Sequence, residues 1–437
     1  MPSNPPGVLK RSLGLFALIA YGVGDILGAG IYALIGKVAG FVGTGAWLPF
    51  LFSFAVAILT GFTYAELASR YPRSAGAAIY SLKAFRQPAF SYFLGFLVLM
   101  SGVVSMATVS HAFAGYVKAI WPGVPPVFVL IGFFLMLTLI NFWGINESSL
   151  TNIFCTAVEI SGILIVVFAG LKWFGSVSYF EISPPEGQTP MNAFFQAAVL
   201  SFYAFIGFED MANVAEETRQ PEKFLPRAII ISIGIVTLLY ILTALMAVSA
   251  VPPRELAASS APLLLVAERG FPWISRELFA LIALFAVTNT ALVNFIMGSR
   301  LLYGMASMGL APSFLGRVHP KRQTPYVAIG VVFFIALILS LTGTLVILAQ
   351  SNSLILLTVY FFMNLSLILI KFRPGETQAP FQIPRAIPFF GALSAFFLIF
   401  FVDRRAFLTV LVLLGLGLGV YFLMGLSGKK LSHDPSV

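Results

Sequence analysis

Apolar residues run along this chain in long blocks rather than in a 3.6- or 2-residue alternation. Ile329 to Leu348, for example, passes about twenty residues without a charge, the length an α-helix needs to cross roughly 30 Å of hydrocarbon. Twelve such blocks are predicted, near 13–38, 44–68, 89–117, 126–145 and 151–173, then 192–217, 226–250, 275–305, 326–348 and 353–371, and finally 387–401 and 406–426. A polar stretch from Ser176 to Pro190, with Pro184-Pro185-Glu186-Gly187 at its centre, separates a first group of five from a second group of five. The predicted class is therefore an all-α polytopic membrane protein.

Two of these blocks are interrupted where they should be greasiest. The first reads Gly22-Val23-Gly24-Asp25-Ile26-Leu27-Gly28-Ala29-Gly30-Ile31 at its middle. Each glycine costs roughly 1 kcal/mol against alanine in a helix interior. Unwound backbone at membrane depth is tolerated only where protein buries it or it lines a wet cavity. A break there leaves the amide end of the second half-helix facing whatever anion enters. The first block of the second group carries a matching signal, Phe205-Ile206-Gly207-Phe208 followed by Glu209-Asp210. With five spans per group, the second group enters the membrane upside down, and the two breaks meet near the midplane as half-sites of one substrate site.

Composition agrees with a membrane chain: 59% of the 437 residues are hydrophobic, 10% are charged, and the mean hydropathy is +0.95. The net charge of +9 is explained by topology rather than by nucleic acid, since no basic run is interleaved with aromatics. Placing the N-terminus inside puts 18 of the 26 Lys and Arg on the cytoplasmic side, among them Lys10, Arg11, Arg70, Arg219, Arg300, Lys371 and Lys429, which sets the orientation. Both termini are then cytoplasmic, in a plasma or inner membrane. The organisation reads as an N-terminal segment 1–12, a first repeat 13–174, an extracellular loop 175–191, a second repeat 192–372, a cytoplasmic loop 373–386, a final pair of spans 387–426 and a tail 427–437. The first block is span-length, so it is expected to be retained rather than cleaved as a signal peptide. The single cysteine, Cys155, forms no intrachain disulfide.

Asp25 and Glu159 are the carboxylates placed deepest in the membrane, where such residues are costly and are candidates for function. Asp25 either caps its own broken helix or carries a proton; Glu159 either bonds a neighbouring helix or does the same, because burial disfavours the charged form of a carboxyl. Gly28-Ala29-Gly30 reads as a small-residue packing strip or as a place where a ligand carboxylate touches backbone amides. Tyr203, Phe205 and Phe208 surround the second break as candidate gates, with core packing the alternative for each. Asn289, in Val287-Thr288-Asn289-Thr290, either lines the pocket or bonds another helix. No hydrolase, P-loop or metal signature is present, and three His and one Cys are too few for a built zinc site. The chain is thus read as a transport protein and not an enzyme, with no cofactor and no metal, its energy coming from an ion or substrate gradient.

Several strings together resemble the amino acid permeases of the amino acid, polyamine and organocation superfamily. They are Gly24-Asp25-Ile26-Leu27-Gly28-Ala29-Gly30-Ile31-Tyr32; Tyr64-Ala65-Glu66-Leu67 with Pro72 and Ser74-Ala75-Gly76; Ser201 through Glu209; Glu216-Glu217 with Gln220-Pro221-Glu222-Lys223 and Leu225-Pro226; and Arg300 through Ala306 with Gly309 and Pro312. The resemblance implies a LeuT-type fold of two inverted five-helix repeats with the first and sixth spans broken, two peripheral helices, and alternating access. It implies that amides of Gly28, Ala29 and Gly30 hold the substrate carboxylate. It also implies that main-chain carbonyls of Ile26, Tyr203 and Ile206, beside Gly207, hold the α-amino group, with Tyr203 as aromatic gate. Several proton-coupled relatives carry a lysine in the fifth span. Here the comparable stretch is Thr156-Ala157-Val158-Glu159-Ile160, so proton coupling would fall to Glu159 or Asp25.

The expected function is a secondary transporter for amino acids, coupled to H+. Two other readings stay open: an amine or polyamine exchanger using Asp25 and Glu159, and a channel or membrane subunit of a larger assembly.

Overall fold

The computed structural model describes residues 13–72, 76–143, 149–307, 311–376 and 378–423, and is helical throughout, with no β-strand among the described residues. The predicted N-terminal segment 1–12 and the tail 427–437 lie outside the described residues. Fifteen helices follow one another: α1 (Leu15–Val42), α2 (Trp47–Arg70), α3 (Gly76–Phe85), α4 (Pro88–Ile120), α5 (Pro126–Trp143), α6 (Ser149–Gly170), α7 (Pro190–Phe202), α8 (Pro221–Ala250), α9 (Pro253–Ala258), α10 (Pro262–Gly270), α11 (Arg276–Ser307), α12 (Tyr326–Thr342), α13 (Leu345–Phe372), α14 (Ala386–Ile399) and α15 (Arg404–Leu423). Among the described residues nine helical segments are long and apolar enough to cross a membrane, and α1 makes a tenth if its two bent halves are one span. Two apolar helices, α12 and α14, are shorter.

The two interrupted helices occupy the centre. α1 packs against α6, α7, α8, α9 and α11, and its core face is closed by Leu27, Ile31, Leu34 and Val38, all fully buried. α4 lies against α11 and α13, and α2 against α8. The periphery keeps its apolar side chains outward: Phe128 and Leu139 on α5, Phe389 and Phe396 on α14, and Leu411 and Phe422 on α15 are exposed. So wide a greasy surface suits lipid and not water.

One helix boundary departs from the sequence expectation. The apolar run 326–348 was expected to be continuous, but α12 stops at Thr342 and α13 begins at Leu345. Gly343 is extended there, and the Thr344 side chain caps the new helix by accepting from the Ile347 N–H at 3.4 Å. The polar run Gln350-Ser351-Asn352-Ser353, which resembles a linker, is instead buried inside α13. Its bonds explain why: Gln350 accepts from the Asp403 N–H at 2.9 Å, and Ser353 donates to the Val199 carbonyl at 2.7 Å.

A buried ionic hub joins α2 to α13. Glu66, fully buried, contacts Arg70 at 3.0 Å and Lys371 at 2.7 Å, and accepts from the Ile383 N–H at 2.8 Å. Lys371 also donates to the Ile383 carbonyl. Nearby, Tyr71 donates to Glu376 at 2.5 Å; burial and that bond hold its phenol well above the usual tyrosine range.

Candidate functional site

Both predicted interruptions are visible as backbone geometry. α1 leaves helical dihedrals at Gly28 (φ 15°, ψ −153°), and its halves, Leu15–Gly28 and Gly30–Gly45, meet at 42°. Close packing leaves room only for glycine on both sides of Asp25. A Cβ on Gly28 would lie 2.7 Å from Thr290 Oγ1, and one on Gly24 would lie 2.1 Å from Thr156 Oγ1. In the second broken segment, α7 ends at Phe202 and a short 3₁₀ turn covers Tyr203–Phe205. Ile206 is then extended and Gly207 takes φ +127°, a conformation side chains resist, before a second 3₁₀ segment runs from Phe208 to Glu217.

The two breaks touch. A Cβ on Gly207 would sit 2.9 Å from the carbonyl carbon and oxygen of Asp25, and one on Gly30 would sit 2.7 Å from Ala204 Cα. A cavity of about 30 Å³ lies between them, lined by Asp25, Ile26, Gly28 and Gly30 from α1 and by Tyr203, Ile206, Gly207 and Asp210 from the second break. Ser105 of α4 and Thr290 and Asn294 of α11 complete it. That space holds roughly two waters and is too small for an amino acid, so the site is closed to a ligand of that size in this conformation. Ser105 Oγ and the Tyr203 hydroxyl are 3.0 Å apart, which fixes the Tyr203 ring across the cavity.

Other residues expected at the site lie elsewhere. The Ala29 side chain lies outside the described set. Phe205 and Phe208 are fully buried away from the cavity: Phe205 packs on Tyr240 at 5.3 Å, and Phe208 on Tyr64 at 5.8 Å and Tyr360 at 5.1 Å. Glu159 and Asn289 also stand off it, bonded to each other across α6 and α11 at 2.9 Å. The second carboxylate oxygen of Glu159 is buried with no hydrogen-bond partner among the described residues, while its main-chain carbonyl accepts from Tyr32 at 2.7 Å.

Of the other lining residues, Asp210 and Thr290 enter the sequence reading only as members of the polar strings Glu209-Asp210 and Val287-Thr288-Asn289-Thr290, and Ser105 and Asn294 are not singled out by it. Thr290 and Asn294 share a helix face one turn apart, and Asn294 donates to the Thr290 carbonyl at 2.9 Å, a spacing that a polar pair in an apolar helix announces only weakly. Beneath the cavity, Glu209 accepts from the Gly207 N–H at 3.0 Å and from Tyr360 at 2.5 Å, which braces the second break from α13. At the far end of the same segment, the Leu13 N–H donates to the Glu217 carbonyl at 3.0 Å and the Arg219 N–H to the Leu13 carbonyl at 2.9 Å.

A multi-pass helical protein with a small polar cavity between two interrupted helices has the form of a membrane transport protein rather than an enzyme. Comparison with known sequences gives the family. The amino acid permease family matches residues 13–419, so the chain belongs to the amino acid permeases. It is 27% identical to the branched-chain amino acid permease BcaP of Bacillus subtilis, over 97% of this chain and 95% of that one. It is 33% identical to the chloroplastic cationic amino acid transporter 9 of Arabidopsis thaliana, over 71% of this chain and 58% of that protein. With cationic amino acid transporter 4 of Mus musculus it shares 29% identity, over 84% of this chain and 61% of the other.

Proposed function

We propose that this permease is a secondary active transporter that moves amino acids across the membrane by alternating access. The observation that carries the reading is the closed cavity walled by main chain from both breaks. Amide ends suit a carboxylate and carbonyl ends suit an ammonium. Gly28, Ala29 and Gly30 accordingly take the substrate carboxylate, and the carbonyls of Ile26, Tyr203 and Ile206 take its α-ammonium, with Gly207 letting the two backbones approach. Tyr203 is the gate at the cavity; Phe205 and Phe208 take part only as the second break moves.

In this reading α12 and α14 join the ten apolar segments to make twelve spans, α12 standing ninth and α14 eleventh along the chain. The first ten form two inverted five-helix repeats of LeuT type, 13–174 and 192–372, and both termini face the cytoplasm. Coupling is to protons through Asp25 at the cavity or Glu159 beside it. The lining also favours a narrower variant. Asp25 and Asp210 both line the cavity, and no lining residue among those described is basic. That suits a cationic amino acid, as the names of two relatives suggest, or an amine; the name of a third, BcaP, points to a branched-chain substrate.

The test is uptake of labelled L-amino acids by the purified protein in liposomes, with competition by decarboxylated analogues. Saturable uptake of at least one amino acid is expected. It should be abolished by Gly30→Val, whose side chain has no room against Ala204. Wild-type uptake by that variant removes the binding scheme, and full competition by the amine replaces it with an amine exchanger.

A further inference from the structure

We propose that Tyr240 of α8 is the positioning residue that holds the two broken helices in register across the cavity. Its hydroxyl lies within hydrogen-bond reach of three main-chain carbonyls: Ile26 at 2.8 Å, Leu27 at 3.1 Å and Ala204 at 2.8 Å. Ile26 and Leu27 directly precede the break at Gly28, and Ala204 lies just ahead of the break at Ile206 and Gly207. A phenol carries a single donor hydrogen. The closed state therefore places one proton among acceptors belonging to both breaks.

The ring is built to keep that hydroxyl still. Tyr240 is fully buried, with Phe50 of α2 at 5.8 Å and Phe205 of the second break at 5.3 Å. Its own helix, α8, runs unbroken from Pro221 to Ala250, so the hydroxyl hangs from a rigid element while both of its partners belong to interrupted ones. When the breaks part, the proton follows only one side, and the closed geometry loses its shared donor.

This inference rests on the transport reading, because it orients the Ile26 carbonyl that the reading gives to the substrate ammonium. A carbonyl oxygen has two lone pairs, so Ile26 accepts from Tyr240 and from a substrate together, and the phenol sets the direction in which the carbonyl points. Tyr240 does not itself line the cavity.

The test is Tyr240→Phe, which keeps the ring and removes the hydroxyl. Two quantities are measured: KM for uptake in liposomes, and the rate at which a thiol reagent labels Ser105→Cys in a Cys155→Ala background. The expected result is a KM raised about tenfold with Vmax per folded protein within about twofold, and labelling about tenfold faster, on the scale of one lost buried hydrogen bond. A purely structural tyrosine would lower the amount of folded protein and leave both quantities alone. Either one at its wild-type value overturns the assignment. If Tyr240→Phe does not accumulate as folded protein, Phe50→Leu, which withdraws a ring that Tyr240 leans on, carries the same test with the same two readouts. If the wild-type chain moves no amino acid, the transport reading fails by itself, and the labelling rate alone decides the role of Tyr240.

Discussion

At the scale of single residues, absent side chains do as much as present ones. Gly207 combines φ +127° with an approach to the Asp25 backbone that no Cβ tolerates. Gly207→Ala is therefore expected to reduce uptake more than tenfold while the protein still reaches the membrane, which transport assays normalised to surface protein would show; a rate within twofold of wild type contradicts the close approach. The two coupling candidates are separated by substitution. Glu159→Gln keeps the shape and the bond to Asn289, and Asp25→Asn keeps the shape at the cavity. The variant that removes the coupling proton should lose the pH dependence of uptake while keeping exchange. If both retain the wild-type pH profile, neither carries the proton. The glycines and Asp25 are legible from sequence because they are improbable at membrane depth, and Tyr203 because it flanks the second break. Tyr240, Ser105 and Asn294 are not, because a lone polar residue in an apolar helix looks the same whether it faces a cavity, a carbonyl or a neighbouring helix.

At the scale of elements, the interruptions in α1 and after α7 are written in local composition, but the turn between α12 and α13 is not. Leu339 to Leu348 stays uncharged on both sides of Gly343-Thr344, and the polar residues that would have marked a loop are buried further on in α13 and paired with distant backbone. Gly343 and the Thr344 cap are the only local marks of that boundary, and the distant backbone partners hold the polar run inside α13. The ionic hub belongs to this scale too, since Glu66 fastens α2 to α13 and to the segment ahead of α14. Glu66→Ala strands buried Lys371 and the Ile383 N–H and is expected to cost about 3 kcal/mol. A thermal-shift measurement should show clearly earlier unfolding, with KM unchanged in the protein that survives. Unchanged unfolding would mean that the hub contributes little.

At the scale of the whole molecule, nine span-length apolar segments and the bent α1 were legible from length and apolarity alone, and their packing order was not, since every block carries the same greasy composition. What the assembled chain adds is closure, for the polar groups of both breaks surround a space fit for water and too small for the proposed cargo. The short backbone pairing of Leu13 with Glu217 and Arg219 bears on how that closure is undone. It sits just ahead of the start of α1 and at the far end of the second break, by the orientation proposed here at the cytoplasmic boundary. Peptide groups released there find solvent at once, whereas those freed beside the fully buried Tyr240 face protein and a cavity with room for only about two waters. A door hinged in this way opens most cheaply from its wet edge, and the order of events in each cycle is then written into which hydrogen bonds have water waiting behind them.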